Sequence, residues 1–413
     1  MKTHLLKLGA VCSLAILTTA CSKDDKEILE PTNSMNEVQA DFTYGATPIA
    51  NQYIVTLTPG TLGMGKEKLN SKKAYEAKAA NARAKIEQTF HDIGLEQASI
   101  KNTMVYAFEG FAGTLSKKQF AQLKNNPKVE KIEQDYMISL QGVAKNDSYT
   151  MAFDAADQTV PYGITRVNGG VDGTGKTAWI IDTGIDLDHP DLNVDVLRSI
   201  SFIAEEPSPN DGNGHGSHVA GTIAAKDNAI GVVGVAPNAS VIAVKVLSSE
   251  GSGATSGIIA ALDYVAANAS PGDAVNMSLG GSIPLLGIDS ALDAAAINVG
   301  AQGVGVAIAA GNSSLPASLY SPARANGENV YTISAMDDTD SFASFSNWGG
   351  PVDYCDPGVN IYSTYMNGGY ATLSGTSMAT PHFCGLLLLG DIKTDGTVSG
   401  DPTIFSPDPI AVH

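Results

Sequence analysis

The pattern of apolar and polar positions divides the chain into two parts. After residue 160, short apolar runs alternate with longer segments whose apolar residues recur at helical spacing. Strands are predicted at 178–181, 240–246, 274–278, 304–309 and 330–335, and helices after His215, at 256–267, at 290–299 and after Ser377. This alternation predicts an α/β fold with a mostly parallel, doubly wound sheet that helices cover on both faces.

Residues 46–141 carry a different pattern. A β-branched run at 53–57 is followed by a helical segment from about Ser71, with Tyr75, Ala82 and Ile86 at helical spacing and Gly94 as a stop. Two extended runs at 99–108 and 111–115, a short helix and a last strand at 128–138 complete a β-α-β-β-α-β order. This order predicts a small α+β, ferredoxin-like domain, an arrangement that many unrelated domains share.

The remaining segments are polar or have features of export. Residues 1–20 begin with Lys2 and Lys7, continue with an apolar stretch and end in small residues, which is typical of a signal peptide and too short to span a membrane. Residues 21–45 form a polar tether, 142–160 a polar linker and 391–413 a polar tail. The α/β domain is therefore expected at 161–390.

Charge also separates the two parts. Residues 1–150 hold 18 Lys and Arg against 16 Asp and Glu, whereas residues 151–413 hold 7 against 27. A strongly acidic domain is a poor partner for nucleic acid, so no nucleic-acid binding is expected. The 43% of hydrophobic residues and the 43 glycines suit a packed core rather than a disordered chain.

Three polar residues lie where catalytic groups are often found. Asp182 ends an apolar strand, His215 lies between two glycines at a helix start, and Ser377 follows Gly375 at another helix start. The N–H groups at a helix N-terminus can stabilise negative charge that develops on a carbonyl oxygen beside a serine. A serine at this position is also a common N-cap, so Ser377 taken alone leaves both interpretations open.

The three segments around these residues, 179–184, 212–221 and 375–382, closely resemble the active-site motifs of subtilisin-like serine proteases, the subtilases. The resemblance covers about 161–390 and implies a subtilisin-like fold. It implies that Ser377 attacks the scissile carbonyl, that His215 takes and later returns the proton, and that Asp182 orients the imidazole. Asn312 matches the family's asparagine that, with the N–H of Ser377, holds the oxyanion. The implied activity is that of a serine endopeptidase.

The small N-terminal domain also resembles a known unit. Its segments 106–116 and 127–135 are similar to the inhibitor-type propeptide that precedes many subtilases. The resemblance implies an autoprocessed zymogen, in which the propeptide at 46–141 is first a folding template and then an intramolecular inhibitor. Self-cleavage is expected in the linker, near Gly142.

Protein or peptide substrates need a strand edge with which to pair. Two segments of small residues match those that bind substrate as an added strand in the family, namely Gly251, Ser252 and Gly253, and Ser278, Leu279 and Gly280. The pocket before the scissile bond is expected between 278–280, 309–311 and the loop 313–320, which resembles the proteinase K branch. These segments carry no charged residue, so the sequence predicts broad specificity with an apolar or aromatic preference.

One further loop resembles the strong calcium site of the family. Asp191 and Asn228 would supply side-chain oxygens, and Lys226, Ile230 and Val232 would supply carbonyl oxygens, which are the ligands that Ca2+ prefers. A tight surface turn is the alternative. The HExxH motif of zinc proteases does not occur in the sequence, so no catalytic metal is expected.

The cysteines bear on location and on stability. Cys21 ends a stretch, 17–21, that resembles a bacterial lipoprotein cleavage box, and the run 22–27 resembles an acidic surface-export tag. A precursor tethered by lipid to the outer membrane or cell surface is therefore expected, with extracellular enzyme after processing. An ordinary cleavage site is the alternative. Cys355 and Cys384 lie in apolar surroundings, either as small buried side chains or as a disulfide.

Some roles and functions remain as alternatives. His91, His189, His218 and His382 are expected to serve in packing or hydrogen bonding. A surface binding protein on an inactive protease scaffold and a narrow processing protease are the alternative functions. Most subtilases continue through further helices where this chain turns polar after residue 390, so the core needs cover from the tail or from a partner.

Overall fold

The computed structural model describes residues 43–141, 157–282, 290–403 and 406–413. The expected signal peptide, Cys21, nearly all of the tether, and most of the linker including Gly142 lie outside these ranges. Among the residues within them, no helix combines the length and the hydropathy that crossing a membrane requires.

The N-terminal domain has the predicted order of strands and helices. Its elements are β1 (Thr43–Leu57), α1 (Lys72–Thr89), β2 (Ile100–Met104), β3 (Gly110–Thr114), α2 (Lys117–Lys124) and β4 (Val129–Gln141). The strands pair antiparallel in the order β2-β3-β1-β4. Ser71 caps α1 by accepting the N–H of Ala74, and Ser116 and Gln119 form a capping box at α2. Local sequence signals therefore define where both helices begin.

The second part has the predicted α/β architecture. Its elements are α3 (Tyr162–Arg166), β5 (Thr177–Asp182), β6 (Ile200–Ser201), α4 (His215–Ala224), β7 (Ser240–Lys245), β8 (Ser252–Ala254), α5 (Thr255–Asn268), β9 (Ala274–Met277), α6 (Ala291–Gly300), β10 (Gly305–Ala309), β11 (Val330–Met336), β12 (Tyr354–Pro357), β13 (Ile361–Thr364), β14 (Tyr370–Leu373), α7 (Thr376–Leu389), β15 (Lys393–Thr397) and β16 (Pro409–Val412). Among the described residues, nine strands form one sheet in the order β15-β16-β12-β11-β10-β9-β5-β7-β6. Its pairs are parallel except for β15 with β16.

The side chains of β5 show that helices cover both faces of this sheet. Trp179 and Ile181 belong to the buried cluster that includes residues of α5 and α6, whereas Ala178 and Ile180 belong to the cluster that includes residues of α4 and α7. Successive side chains of a strand point to opposite faces, so each face of β5 packs against a different pair of helices. In such a sheet, binding sites form at the carboxyl ends of the strands, where β5 ends with Asp182.

The segment 391–413, expected only as a polar tail, contains two strands of the sheet. β16 lies parallel to β12, with Ile410 opposite Cys355, and β15 pairs with β16. The side chains of Ile410, Ala411 and Val412 are buried. Residues 409–412 thus cover the edge of the core beside α7. The cover that the core was expected to need is supplied by the tail.

Cys355 and Cys384 are free thiols, and both are buried. Burial raises the pKa of each thiol, so both remain protonated at neutral pH. The structure therefore has the packed-side-chain alternative rather than the disulfide.

Asp408, which immediately precedes β16, is a buried carboxyl with few partners. Its Oδ2 accepts a hydrogen bond from Ser334 Oγ at 2.6 Å, and its N–H donates to Asp401 Oδ2 at 2.8 Å. Burial raises the pKa of Asp408 to about 7, and the neighbouring Asp401 carboxyl adds to the increase. An acid whose pKa is raised on folding stabilises the fold fully below its unfolded pKa and loses this contribution as the pH rises through its folded pKa.

We therefore expect the free energy of unfolding to fall through this group between about pH 4 and pH 7. Asp408→Asn should reduce this fall, because the amide still accepts from Ser334 and cannot ionise. Thermal denaturation at about pH 5 and pH 8 checks this, with the exposed Asp338→Asn as the matched control. Between about pH 5 and pH 8, the change in melting temperature of Asp408→Asn should be more favourable than that of wild type by a few degrees. Equal pH dependence in the two variants would contradict the assignment.

Candidate active site

The carboxylate at the end of β5 is bonded to the histidine that begins α4. Asp182 Oδ1 and Oδ2 lie 2.8 and 3.0 Å from His215 Nδ1, and both side chains are buried. Asp182 Oδ1 also accepts the N–H of Thr183 at 2.7 Å. A carboxylate beside Nδ1 holds the proton on that nitrogen, so Nε2 is the basic nitrogen of the ring.

The loop before His215 is held by Asp211, a residue that the sequence analysis did not single out. The Asp211 carboxylate accepts three N–H groups of residues 213–217 and the hydroxyl of Ser217 at 2.7–2.9 Å. It also accepts the hydroxyl of Thr183 at 2.9 Å. Asp211 therefore connects the loop that carries the histidine to the residue after Asp182. Its position in a glycine-rich turn, four residues before His215, was the available sequence signal.

The two glycines that flank His215 allow close approach to other groups. Gly214 has a φ of 103°, and a Cβ at this position would lie 2.2 Å from the ring of Tyr365. A Cβ at Gly216 would lie 2.0 Å from the carbonyl oxygen of Gly184. Both positions therefore require glycine if the histidine is to keep its place.

Ser377 is the second residue of α7, and Pro381 changes the hydrogen bonding around it. Pro381 has no N–H to donate to the carbonyl of Ser377. This carbonyl instead accepts the hydroxyl of Ser278 at 2.8 Å, and Ser377 Oγ donates to the carbonyl of Ser278 at 3.2 Å. The residue after β9 thus fixes Ser377 from two sides, and α7 packs against α4, which carries His215.

Asn312 lies beside the start of α7 with its amide group in a defined orientation. Its Oδ1 accepts both the N–H and the hydroxyl of Thr376 at 2.8 Å. Nδ2 therefore points the other way, and this buried atom has no hydrogen-bond partner among the residues that the structure describes. A buried donor of this kind next to Ser377 is suited to an anionic oxygen.

The other described histidines have structural surroundings. His189, His218 and His382 are buried, and a ring nitrogen of each bonds a backbone carbonyl. Burial lowers the pKa of His218 to about 3 and that of His382 to about 4, and it also lowers the pKa of His189. These three rings are therefore neutral at physiological pH, while His91 is exposed in the N-terminal domain.

The last strand of the N-terminal domain lies along the first predicted substrate segment. β4 and β8 pair antiparallel, and the N–H of Leu140 donates to the carbonyl of Gly251 at 2.8 Å. Gly251 lies beside Asn213, because a Cβ on this glycine would be 3.5 Å from Asn213 Nδ2. The chain that leads into the linker therefore passes close to the His215 loop. The paired residues are Met137 with Ala254, Ile138 with Gly253, and Ser139 with Ser252.

The second predicted segment, 278–280, leads into Gly281, which lies against the N-terminal domain. A Cβ on Gly281 would be 3.1 Å from Ala46 Cβ on β1 and 3.4 Å from Ile138 Cγ1 on β4. Leu279 is buried, and a Cβ on Gly280 would lie 3.0 Å from the carbonyl oxygen of Ser321. Ser321 was missed by the sequence analysis because it comes just after the loop 313–320 that was expected to complete the pocket.

The loop predicted to bind calcium gathers around Asp191, whose carboxylate is buried. Oδ1 accepts Asn228 Nδ2 at 2.7 Å, and Oδ2 accepts the N–H of Val232 at 3.0 Å. The carbonyl of Lys226 accepts Gln158 Nε2 at 3.1 Å, which adds an amide that the sequence analysis did not name. Asn228 Oδ1 accepts the N–H of Ile230. The loop thus brings the predicted residues together around Asp191.

Charge at this loop fits a cation. Within the described ranges, Asp191 has no Lys or Arg side chain at ion-pair distance, although it is buried. A buried carboxylate without a cation is costly, and amide and carbonyl oxygens nearby are ligands for a hard ion. In the same ranges, no group of three or more His, Cys, Asp or Glu residues is arranged to hold a metal.

Comparison with known proteins defines the class of this fold and site. The family described as "Subtilase family" matches residues 173–390, and the family described as "Peptidase inhibitor I9" matches residues 52–141. Both the α/β domain and the domain before it are therefore those of a subtilisin-like serine protease. The chain belongs to the subtilase family and carries an N-terminal inhibitor I9 propeptide domain.

Named relatives extend this comparison. The chain is 40% identical over 301 residues to "Alkaline serine exoprotease A" of Vibrio alginolyticus, over 72% of this chain and 54% of that protein. It is 40% identical over 303 residues to "Alkaline protease" of Alkalihalobacillus alcalophilus, over 71% and 73% of the two chains. With "Subtilisin BL" of Lederbergia lenta it shares 45% identity over 238 residues, 56% of this chain and 84% of the other. The aligned region thus spans about half of the Vibrio protein.

A solved structure described as a cold adapted subtilisin-like serine proteinase also matches. Its TM-score is 0.49 at 42% sequence identity, and the match covers 55% of this chain and 83% of that chain.

Proposed function

We propose that this protein is an exported zymogen whose mature form hydrolyses peptide bonds with Ser377 as nucleophile, His215 as general base and acid, and Asp182 as the group that orients the imidazole. The observation that carries the proposal is the buried pair of Asp182, at the end of β5, and His215, at the start of α4, which packs against the helix whose second residue is Ser377. A serine hydroxyl, an imidazole that acts as base, a carboxylate that orients the imidazole and donors for the oxyanion together are the requirements of serine peptidase chemistry.

The proposed reaction has two similar halves. Ser377 Oγ attacks the carbonyl carbon, and its proton passes to His215 Nε2 while Asp182 stabilises the resulting imidazolium. The oxyanion accepts from Asn312 Nδ2 and from the N–H of Ser377. When the C–N bond breaks, the leaving amine takes the proton from His215, and water then releases the acyl group by the same steps.

The orientation of Asn312 supports its role as oxyanion donor. Both bonds from Thr376 go to Oδ1, so the amide nitrogen points away from Thr376 and is left as a donor. In subtilisin, loss of the corresponding donor costs about 2.7–4 kcal/mol of transition-state stabilisation. A preoriented donor supplies this stabilisation without reorganisation during the reaction.

The position of β4 supports inhibition by the propeptide. A strand paired with residues 252–254 occupies the place at which an extended substrate would add to the enzyme. Leu140 is held beside Gly251, close to the His215 loop. We place self-cleavage just beyond it, near Gly142, so that 46–141 becomes the inhibitor, 142–160 holds the cleaved linker and 161–390 is the peptidase domain.

The surroundings of the expected pocket favour apolar or aromatic substrate side chains. Ser321, which lies beside Gly280, donates to the carboxylate of Asp293, and this carboxylate also pairs with Arg324 at 2.8 Å. Its charge is thus neutralised within the protein. Pairing through main-chain groups at 251–253 and 278–280 makes few demands on substrate sequence, which supports broad specificity over a narrow processing role.

Fluorophosphonate labelling tests the nucleophile. Wild-type protein should bind the probe covalently at Ser377, whereas Ser377→Ala should not, because the probe needs an activated hydroxyl. Peptidase activity should fall by about a million-fold, the loss seen when the serine is removed from such a triad. The Ser377→Ala chain should also keep its linker intact by mass spectrometry.

The same experiment separates the alternative functions. Ser270→Ala, which removes an exposed hydroxyl, is the control for nonspecific serine labelling and should be labelled like wild type. A wild-type protein that remains unlabelled and uncut would instead be a binding protein on an inactive scaffold. Cleavage of a peptide library distinguishes a broad peptidase from a processing protease that accepts few sequences.

We also propose a structural calcium ion at the loop of Asp191, Lys226, Asn228, Ile230 and Val232. The support is the buried carboxylate without a cationic partner and the oxygen atoms of this loop. A bound ion would stabilise the fold by neutralising Asp191. It would take no part in peptide hydrolysis, for which no metal is required.

Chelation tests the calcium proposal. Removal of Ca2+ should lower the melting temperature of the wild-type protein, because an ion at 100 times its Kd contributes about 2.7 kcal/mol. Asp191→Asn should start lower and respond little to the chelator. Asp227→Asn, an exposed change in the same loop, is the control. A wild-type melting temperature that does not respond to chelator would refute the ion.

Export is proposed from the sequence features at the N-terminus. Residues 1–20 would be removed as a signal peptide, and Cys21 would carry lipid that holds the precursor at the outer membrane or cell surface. Cutting near Gly142 then gives an extracellular enzyme. Intact-mass analysis of the exported precursor should show added acyl groups in wild type and none in Cys21→Ser. An unmodified wild-type Cys21 would leave the ordinary cleavage site as the explanation.

A further inference from the structure

Helix α5 is the part of the peptidase domain that the propeptide contacts along its whole length. At its start, Asp135 Oδ1 accepts the N–H of Ser256 at 3.0 Å. In its middle, Asp263 Oδ1 accepts three consecutive N–H groups of residues 105–107 at 2.5–2.9 Å. Tyr75 OH on α1 also donates to Asp263 Oδ2, at 3.1 Å. These contacts hold the N-terminal end and the middle of α5 against the propeptide.

The other end of α5 meets a different propeptide segment. Lys68 Nζ donates to the carbonyls of Ala266 and Ala269 at 2.9 and 2.7 Å, and to Gln302 Oε1 at 2.8 Å. The N–H of Leu69 donates to the carbonyl of Ala267 at 2.7 Å. The last carbonyls of a helix have no intrahelical partners and carry the negative end of its dipole. An ammonium group is therefore the natural complement to this end of α5.

The segment that carries Lys68 is held in place by its own domain. The Glu109 carboxylate accepts the N–H groups of Gly60 and Leu62 at 3.1 and 2.7 Å, and Lys85 Nζ donates to the carbonyl of Leu62 at 2.9 Å. Nearer to Lys68, Lys78 forms an ion pair with Glu67 at 2.7 Å. The segment that carries Lys68 is thus held by bonds within the propeptide before it contacts α5.

We propose that residues 66–70, here named the docking loop, are a second inhibitory anchor that binds the C-terminal end of α5 through Lys68 and Leu69 and sets how slowly the cut propeptide leaves. The proposal rests on the zymogen function given above. The partner of this surface is the last turn of α5 with Gln302, an acceptor-rich site that suits a cation flanked by an N–H donor.

The location of the anchor gives it a role that β4 cannot have. Residues 137–139 of β4 bind through main-chain groups at the place where substrates compete, whereas the docking loop lies at the far end of α5 from β8. Substrate that displaces the strand leaves the docking loop bound, so the propeptide can return to its place. Loss of the docking loop should therefore speed release without changing the catalytic residues.

The full-length chain is the material for the test. After the linker is cut, the delay before activity on a chromogenic peptide measures propeptide release. Lys68→Met should shorten this delay roughly three- to tenfold, because it removes a cation from a helix C-terminus together with its hydrogen bonds. Lys118→Met, an exposed lysine on α2, is the matched control and should leave the delay unchanged. Gln302→Ala, which removes one acceptor from the peptidase side, should give a smaller change in the same direction.

Salt and hydrogen exchange make the test independent of activity. The difference between wild type and Lys68→Met should shrink at about 1 M salt, where charge interactions are screened. In the Ser377→Ala chain, the amides of residues 66–70 should exchange faster when Lys68 is replaced. Equal delays and equal exchange for Lys68→Met and Lys118→Met would overturn the proposal. If wild type shows no activity, the zymogen function fails, and the exchange comparison still decides whether the docking loop binds α5.

Discussion

The burial of Asp182 is the constraint on which the rest of the site depends. Its carboxylate bonds His215 and the N–H of Thr183, while its carbonyl accepts the N–H groups of Val246 and Leu247 at 2.9 and 3.2 Å. Lys245 lies fully buried beneath this turn and donates to the carbonyl of Thr183 at 2.6 Å. A carboxylate in such a place is tolerated when every neighbouring polar group is satisfied. The end of β5 therefore has little freedom to move.

The same solution recurs at other buried carboxylates of this acidic chain. Residues 151–413 offer 7 Lys and Arg against 27 Asp and Glu, so most carboxylates cannot pair with a cation. Asp211 and Asp263 instead accept clusters of backbone N–H groups. For Asp211 these donors belong to the loop that carries His215, whereas for Asp263 they belong to the propeptide. Even with these donors, burial raises the pKa of Asp263 to about 6, so departure of the propeptide would return this carboxyl to water.

Structural features that depend on neighbouring residues could be predicted from the sequence, whereas contacts between residues far apart in the chain could not. The helix starts at Ser71 and Ser116 and the glycines around His215 follow from turn and capping chemistry, which neighbouring residues determine. β16 was missed because a short apolar run at 409–412 gives no periodicity, and its burial depends on β12, about fifty residues earlier. Lys68 looked like one more charge in a polar segment, since its acceptors are about two hundred residues away in the chain.

The proposed inhibitor and template roles place opposite demands on the propeptide, and we expect different contacts to meet them. A strand that occupies the substrate position must be easily displaced, because its contacts are the main-chain bonds that any substrate can make. A template must instead recognise features unique to this fold, and the ends of α5 offer such features through their unpaired N–H and carbonyl groups. Asp135 and Lys68 meet these two ends with charges of the appropriate sign. Under the proposed function, we therefore expect selectivity for the cognate enzyme from contacts such as those along α5, and competition with substrate along β8.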